Sequence, residues 1–214
     1  MLPSEQLLVP AQEELARLRD GFGRRHCLVI PHLLEPALAE EIASRIEIAD
    51  FYRREHDGIG VEDCMEVNGT LAWLLLLVND QRVLEVVRSI TGCDPIGHFD
   101  GRVYRLEPST EHYDSWHGDV GDGRLVAMSI NLGRRAYEGG ALEIRDRRTG
   151  ETVRVRSDHV GDALLFEIGT HLEHRVLPVG GRTGRTVFAG WFKAGPNFLS
   201  VLRSELSADP TAMS

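Results

Sequence analysis

The sequence predicts an α+β protein with a mainly β core: a double-stranded β-helix, or jelly roll, with N-terminal helices packed on one sheet. Three observations carry the prediction. Before residue 96, apolar side chains recur at helical spacing. From residue 96 onward, short β-branched and aromatic runs alternate with Gly and Asp turns, the pattern of a sandwich or barrel. Two distant histidines, His117 and His174, complement Asp119 in a grouping that only a returning sheet can bring together.

Taken in order, residues 5–23 read as a short helix ending at a glycine. CLVIPHLL (27–34) reads as a strand, and Pro36 then opens a helix through 35–49. Its Leu38, Ile42 and Ile46 fall on one face. The stretch 51–69 is polar and dotted with glycines, and it reads as a long loop. Residues 70–92 read as a second helical stretch, broken near Asn79 and Asp80. The strand-like runs follow: HFDGRVYRL (98–106), RLVAMSINL (124–132), GALEIRD (140–146), TVRVRS (152–157), DALLFE (162–167), HRVLPV (174–179) and TVFAGWF (186–192). RDRRTGE (145–151) reads as a solvated hairpin turn. No repeat, linker or low-complexity tract interrupts the chain, and its 214 residues are expected to form one domain, 1–214, with a real core.

Composition narrows the function classes. A net charge of −9 argues against nucleic acid and anionic membrane surfaces as partners. Cys27, Cys64 and Cys93 are an odd number without paired spacing, so they read as free thiols of a reducing compartment, and a cytoplasmic location is expected. The first 20 residues lack a basic segment followed by an apolar one, so no signal peptide is expected. LAWLLLLV (71–78) is too short to span a bilayer and reads as buried helix.

The chemistry concentrates between His117 and Trp191. In an extended strand, side chains two apart share a face, so His117 and Asp119 converge while Gly118 adds no bulk. With His174 they form a 2-His-1-carboxylate set, the facial triad that leaves coordination positions open on a non-heme Fe(II). Arg185, Val187, Ala189 and Trp191 share parity, which puts a cation beside the metal. Arginine is always charged and matches a carboxylate in shape, so an anionic co-substrate is expected there.

Between about residues 103 and 192 the sequence resembles the 2-oxoglutarate- and Fe(II)-dependent oxygenases, in particular their prolyl hydroxylase-like branch. The resemblance rests on VYRLEPSTEHYDSWHGD (103–119), YEGGALEIRD (137–146), the span from GDALLF to HRVLPV (161–179), and GRTVFAGWF (184–192). It implies that His117, Asp119 and His174 are iron ligands, that Arg185 binds the distal carboxylate of 2-oxoglutarate, and that Tyr104 holds the same co-substrate through its hydroxyl. It implies Fe(II), 2-oxoglutarate and O2 as cofactors, with ascorbate supportive in vitro, and release of succinate and CO2. In related halogenases Gly or Ala replaces the carboxylate ligand. Asp119 is retained here, so hydroxylation is the expected outcome, although desaturation and cyclisation use the same chemistry.

Two competitors stand beside these assignments. The interval from His174 to Arg185 is one residue longer than in the pattern resembled, which leaves Arg182, in the turn GGRTG, as a second cation. His171 competes with His174, but His174 lies on the strand run. The expected substrate is a small molecule, an amino acid or a peptidyl group, and the oligomeric state stays open. His112, Tyr113, Trp116, Arg124, Asn131 and Trp191 are candidate substrate neighbours. For Trp116 the alternative is simple packing, for Arg124 surface solvation, and for Asn131 a buried structural amide. The stretch 51–69, with Tyr52, Arg53, Arg54, His56, Asp57 and Glu62, is read as a lid over the barrel mouth. Two other classes are kept: a cupin-like metal enzyme without 2-oxoglutarate, which Arg185 and Tyr104 oppose, and a non-catalytic sensing or binding module, which the intact triad opposes.

Overall fold

The structure, a computed structural model, describes residues 11–56, 58–108 and 111–207. Its elements run α1 (Gln12–Arg25), β1 (Cys27–Ile30), α2 (Pro36–Glu47), β2 (Phe51–His56), β3 (Gly60–Met65), α3 (Gly69–Val78) and α4 (Gln81–Thr91). The β-rich part follows as β4 (His98–Leu106), β5 (Tyr113–Asp114), β6 (Arg124–Asn131), β7 (Glu138–Gly139), β8 (Leu142–Asp146) and β9 (Thr152–Val155). It closes with β10 (Ala163–Glu167), β11 (Leu172–Val176), β12 (Val179–Gly180), β13 (Arg185–Lys193) and α5 (Phe198–Ser207).

The large sheet has the order β1-β10-β6-β13-β4-β3-β2, with β5 pairing β3. A second sheet, β11-β8-β9, and the small pair β12-β7 complete a curled double sheet, the double-stranded β-helix expected. Strand parity divides the core in two. Phe99, Val103, Ile130, Ala163, Leu165, Phe188 and Phe192 leave one face of the large sheet to pack with α1 to α4. Leu106, Ala127, Leu164 and Phe166 leave the other face to meet Leu142, Ile144, Leu172 and Val176 of the second sheet.

Local chemistry explains the helix boundaries. Pro36 at the first turn and Glu35, whose carboxylate accepts from the Leu38 N–H at 3.1 Å, start α2. Asn68 caps α3 by accepting from Thr70 and Leu71. The break at Asn79 and Asp80 falls as predicted. Asn79 accepts from the Phe99 N–H at 2.7 Å and donates to the Phe99 carbonyl at 3.0 Å, tying the helix end to β4. Asp80 caps α4 through the Arg82 N–H.

Four readings need correction. The first helix runs past its glycines to Arg25 and stops where His26 takes a left-handed conformation (φ 59°); residues 5–10 of that reading lie outside the described residues. CLVIPHLL is a strand only through Ile30, because His32 turns the chain at φ 49°. His117 and Asp119 do not sit in a continuous strand: His117 makes an isolated antiparallel bridge to His174. Most consequentially, 51–69 is not a long loop. β2 and β3 form a hairpin that adds to the large sheet through β4, with Asp63 opposite Arg105 and Cys64 opposite Tyr104. Its charges mark it as an edge, where polar side chains guard unpaired backbone.

Candidate active site

His117, Asp119 and His174 converge between the two sheets, each offering a ligand atom within 4.8 Å of the others. The His117–His174 bridge exchanges both backbone hydrogen bonds, 3.0 and 2.9 Å, and fixes the two rings with centroids 4.3 Å apart. His117 Nδ1 lies 2.7 Å from the Ser115 carbonyl; with that nitrogen donating, Nε2 is left as the lone-pair nitrogen toward the cluster. Burial pushes the His174 imidazolium down to about 4, so its ring is neutral at ordinary pH and free to ligate. Asp119 is 8% exposed, and its Oδ2 accepts from Trp191 Nε1 at 2.6 Å. Asp114, three residues before His117, accepts from the Val176 N–H at 2.7 Å and stands 3.4 Å from His117 Nδ1. Burial pushes its carboxyl up to about 6, although His117 and Val176 act against it.

Arg185 opens β13 on the same cavity, 4% exposed. Its Nη1 donates to the Tyr104 hydroxyl at 3.2 Å. Among the described residues no carboxylate comes within 4.0 Å of it, so the buried guanidinium has no direct ion-pair partner, although its charge acts on Asp114. Such a group is costly unless an anion joins it. Gly140 makes the position possible. It sits at φ +62°, and a Cβ there would come within 2.9 Å of Arg185 Cδ and 3.0 Å of the Tyr137 ring. The run YEGGALEIRD therefore bears on the site. Arg182 is exposed in the turn before β13 and does not line the cavity.

The cavity, about 340 Å³, is also lined by Arg54, His56, Glu62, Arg102, Arg124 and Trp191. Arg124 lies flat on the Trp191 ring, 3.9 Å from its centroid, which favours the cavity-facing reading over plain solvation. The other substrate candidates do not reach the cavity. Trp116 is sandwiched between Arg145 and Arg175 at 4.4 and 4.6 Å. Asn131 spends its amide on the His159 carbonyl and the Gly133 N–H. His112 accepts from the Glu107 N–H, Tyr113 pairs with Val61 in the hairpin ladder, and His171 stands apart from the ligand cluster against His26. Of the hairpin residues read as a lid, Arg54, His56 and Glu62 line the wall; Tyr52 and Arg53 do not, and Asp57 lies outside the described residues.

The sequence reading missed Asp114 as a neighbour of the ligands and the pair Glu62–Arg102 in the wall. Arg102 shares parity with Tyr104 on β4, which was the available signal. Glu62 had none, because its partner is forty residues away in sequence.

Residues 101–193 match the model of the 2OG-Fe(II) oxygenase superfamily, a span that contains all three clustered ligands, Tyr104 and Arg185. No curated protein matches the chain. Among solved structures it is similar to a prolyl-4-hydroxylase of Pseudomonas putida, at 18% identity and a TM-score of 0.62, over 85% of this chain and 99% of that one. An oxidoreductase of the 2OG-Fe(II) oxygenase family from Burkholderia pseudomallei gives 14% identity and 0.66, over 91% and 98%. The non-heme alpha-ketoglutarate-dependent epimerase SnoN of nogalamycin biosynthesis gives 15% and 0.62, over 86% and 84%. At these identities the likeness establishes the shared double-stranded β-helix, and within it residues 101–193 are similar to the 2OG-Fe(II) oxygenase superfamily, whose members use Fe(II), 2-oxoglutarate and O2.

Proposed function

We propose that this protein is a 2-oxoglutarate-dependent Fe(II) hydroxylase of a small molecule, amino acid or peptidyl substrate. The observation that carries the reading is the unpaired, buried Arg185 opening onto the same cavity as three clustered metal-binding side chains. Two imidazole side chains and one carboxylate side chain fit a divalent iron and leave positions open. A guanidinium that lacks a carboxylate fits a dicarboxylate co-substrate.

On this reading His117, Asp119 and His174 hold the iron, which with 2-oxoglutarate and O2 supplies the oxidation that releases succinate and CO2 and oxidises the substrate. The remaining work belongs to the chain. Ser115 orients His117, and Trp191 orients Asp119 by its short hydrogen bond. Arg185, with the Tyr104 hydroxyl at 3.2 Å beside it, would hold the far carboxylate of the co-substrate. Phe166, whose ring lies 4.7 Å from that of His174 between centroids, helps keep water from that ligand. Retention of Asp119 supports hydroxylation over halogenation, and the modest cavity supports a small substrate over a protein surface. A screen with Fe(II), ascorbate and 2-oxoglutarate against amino acids and small metabolites tests the reading. Substrate-dependent succinate with an oxygenated product is expected; succinate with an isomerised or halogenated product would refute the hydroxylase reading.

A further inference from the structure

With the metal and co-substrate groups assigned as above, the cavity wall retains charged side chains that this assignment does not use. Glu62 is 7% exposed and gathers every one of its donors on a single oxygen. Oε1 accepts from Arg102 Nε at 2.8 Å, lies 2.7 Å from Arg102 Nη2 in the same ion pair, faces His56 Nε2 at 2.9 Å, and accepts from Cys64 Sγ at 3.3 Å. Oε2 has no hydrogen-bond partner among the described residues. Burial pushes the carboxyl up, but the Arg102 charge and these hydrogen bonds outweigh it and hold it below the ordinary range, so it is anionic.

Arg124 is the complementary feature. Its Nη1 is 3.5 Å from Asp119 and its Nη2 is 3.6 Å from Asp122, both beyond normal hydrogen-bond length. Its Nε is buried without a partner. The Arg124 and Arg102 guanidiniums both lie within 6.0 Å of the Trp191 ring, so Glu62, Arg102, Trp191 and Arg124 form one row along the wall. Arg102 is neutralised by Glu62. The cavity lining thus includes one carboxylate with a spare oxygen and one guanidinium whose ion pairs are long and whose Nε has no partner, with Trp191 beside that guanidinium.

We infer that the substrate is a small zwitterion, a free amino acid or a close analogue, with its ammonium on Glu62 Oε2 and its carboxylate on Arg124. The inference rests on the proposed oxygenase reading and narrows it. An anion alone would leave the Glu62 Oε2 lone pairs without a donor, an apolar ligand would add no partner to Oε2 or to the loosely paired Arg124 guanidinium, and an internal residue of a peptide has neither an α-ammonium nor an α-carboxylate. Buried polar groups left unpaired disfavour such ligands strongly. The volume agrees: about 340 Å³ is near the low end of the roughly 300–1,000 Å³ of ligand pockets, and it must also admit the co-substrate.

The test is calorimetry and thermal shift on the full chain, loaded with Mn(II) and 2-oxoglutarate without turnover. The probes are the standard free L-amino acids, their N-acetyl forms and their amides. At least one free amino acid is expected to bind, with both blocked forms binding at least about tenfold more weakly. Glu62→Gln and Arg124→Gln should each weaken that ligand roughly 10- to 100-fold, with 2-oxoglutarate affinity near the parent's. Should Glu62→Gln unfold, Arg124→Gln and the blocked ligands still decide. Binding of a blocked form as tightly as the free one, or of no amino acid at all while 2-oxoglutarate binds, overturns the zwitterion inference alone. Absence of 2-oxoglutarate binding overturns the oxygenase reading and the inference with it.

Discussion

Replacing Arg185 by alanine removes a buried cation that has no carboxylate within 4.0 Å among the described residues. Two consequences can be separated. In the protein without co-substrate, the guanidinium is a desolvated charge held by the Tyr104 hydroxyl at 3.2 Å, so deleting it removes a cost as well as a contact. The metal-free melting temperature should therefore change little. With co-substrate, truncating one partner of a buried charge pair costs on the order of 2–5 kcal/mol. That corresponds to roughly 30-fold to several thousand-fold weaker 2-oxoglutarate binding. Arg185→Lys keeps the charge but loses the planar fork, and should fall between. The assay is calorimetric titration of 2-oxoglutarate into the Mn(II)-loaded parent, Arg185→Ala, Arg185→Lys and Arg182→Ala, with Mn(II) affinity measured alongside. Metal affinity should be nearly unchanged in all four. The reasoning is refuted if Arg185→Ala binds 2-oxoglutarate like the parent, or if Arg182→Ala carries the loss.

The metal cluster makes its own predictions. His117→Ala and His174→Ala should weaken anaerobic Fe(II) or Mn(II) binding by more than the roughly 10–100-fold typical of losing a supporting partner, with His171→Ala mild; the reverse order would move the third ligand to His171. Trp191→Phe deletes the 2.6 Å hydrogen bond to Asp119 and should itself cost metal affinity in that roughly 10–100-fold range while the fold persists, as far-ultraviolet circular dichroism would check. Gly140→Ala places a side chain at φ +62° and against Arg185 Cδ, so a loss of roughly 1–2 kcal/mol from the backbone alone should accompany weaker 2-oxoglutarate binding; a variant with parental melting temperature and affinity would dismiss the contact. Cys64, pushed up to about 11 by burial and then by Glu62, should resist thiol reagents at neutral pH until the protein unfolds, which a reaction time course with and without denaturant measures.

The residues that were legible in the sequence are those whose partners are announced by local pattern. β13 could be read because period-two alternation sends Phe188 and Phe192 to the helices and Arg185, Ala189 and Trp191 to the cavity. The helix break at Asn79 was legible from the same local chemistry that its side chain uses to grip Phe99. The hairpin β2–β3 was not. FYRREH is almost wholly exposed, so no face is apolar, and in GVEDCM the buried Glu62 imitates a loop charge. Its burial is made tolerable by Arg102 on another strand, a relation without a local signature. The place of Trp116 outside the cavity lining was illegible for a related reason: nearness in sequence to His117 says nothing about the arginines of β8 and β11 that pack on its ring. Arg124 went the other way, because its stacking on Trp191 is a contact between strands far apart in the chain.

The central claim is that one cavity joins a metal held by His117, Asp119 and His174 to a dicarboxylate held by Arg185. The direct measurement is anaerobic titration of 2-oxoglutarate into parent protein, with and without Fe(II), followed by calorimetry and visible absorption. Tight binding that requires Fe(II), with a new visible charge-transfer band that His174→Ala abolishes, is the predicted result. Binding equally tight without metal, or unaffected by His174→Ala, would contradict the account.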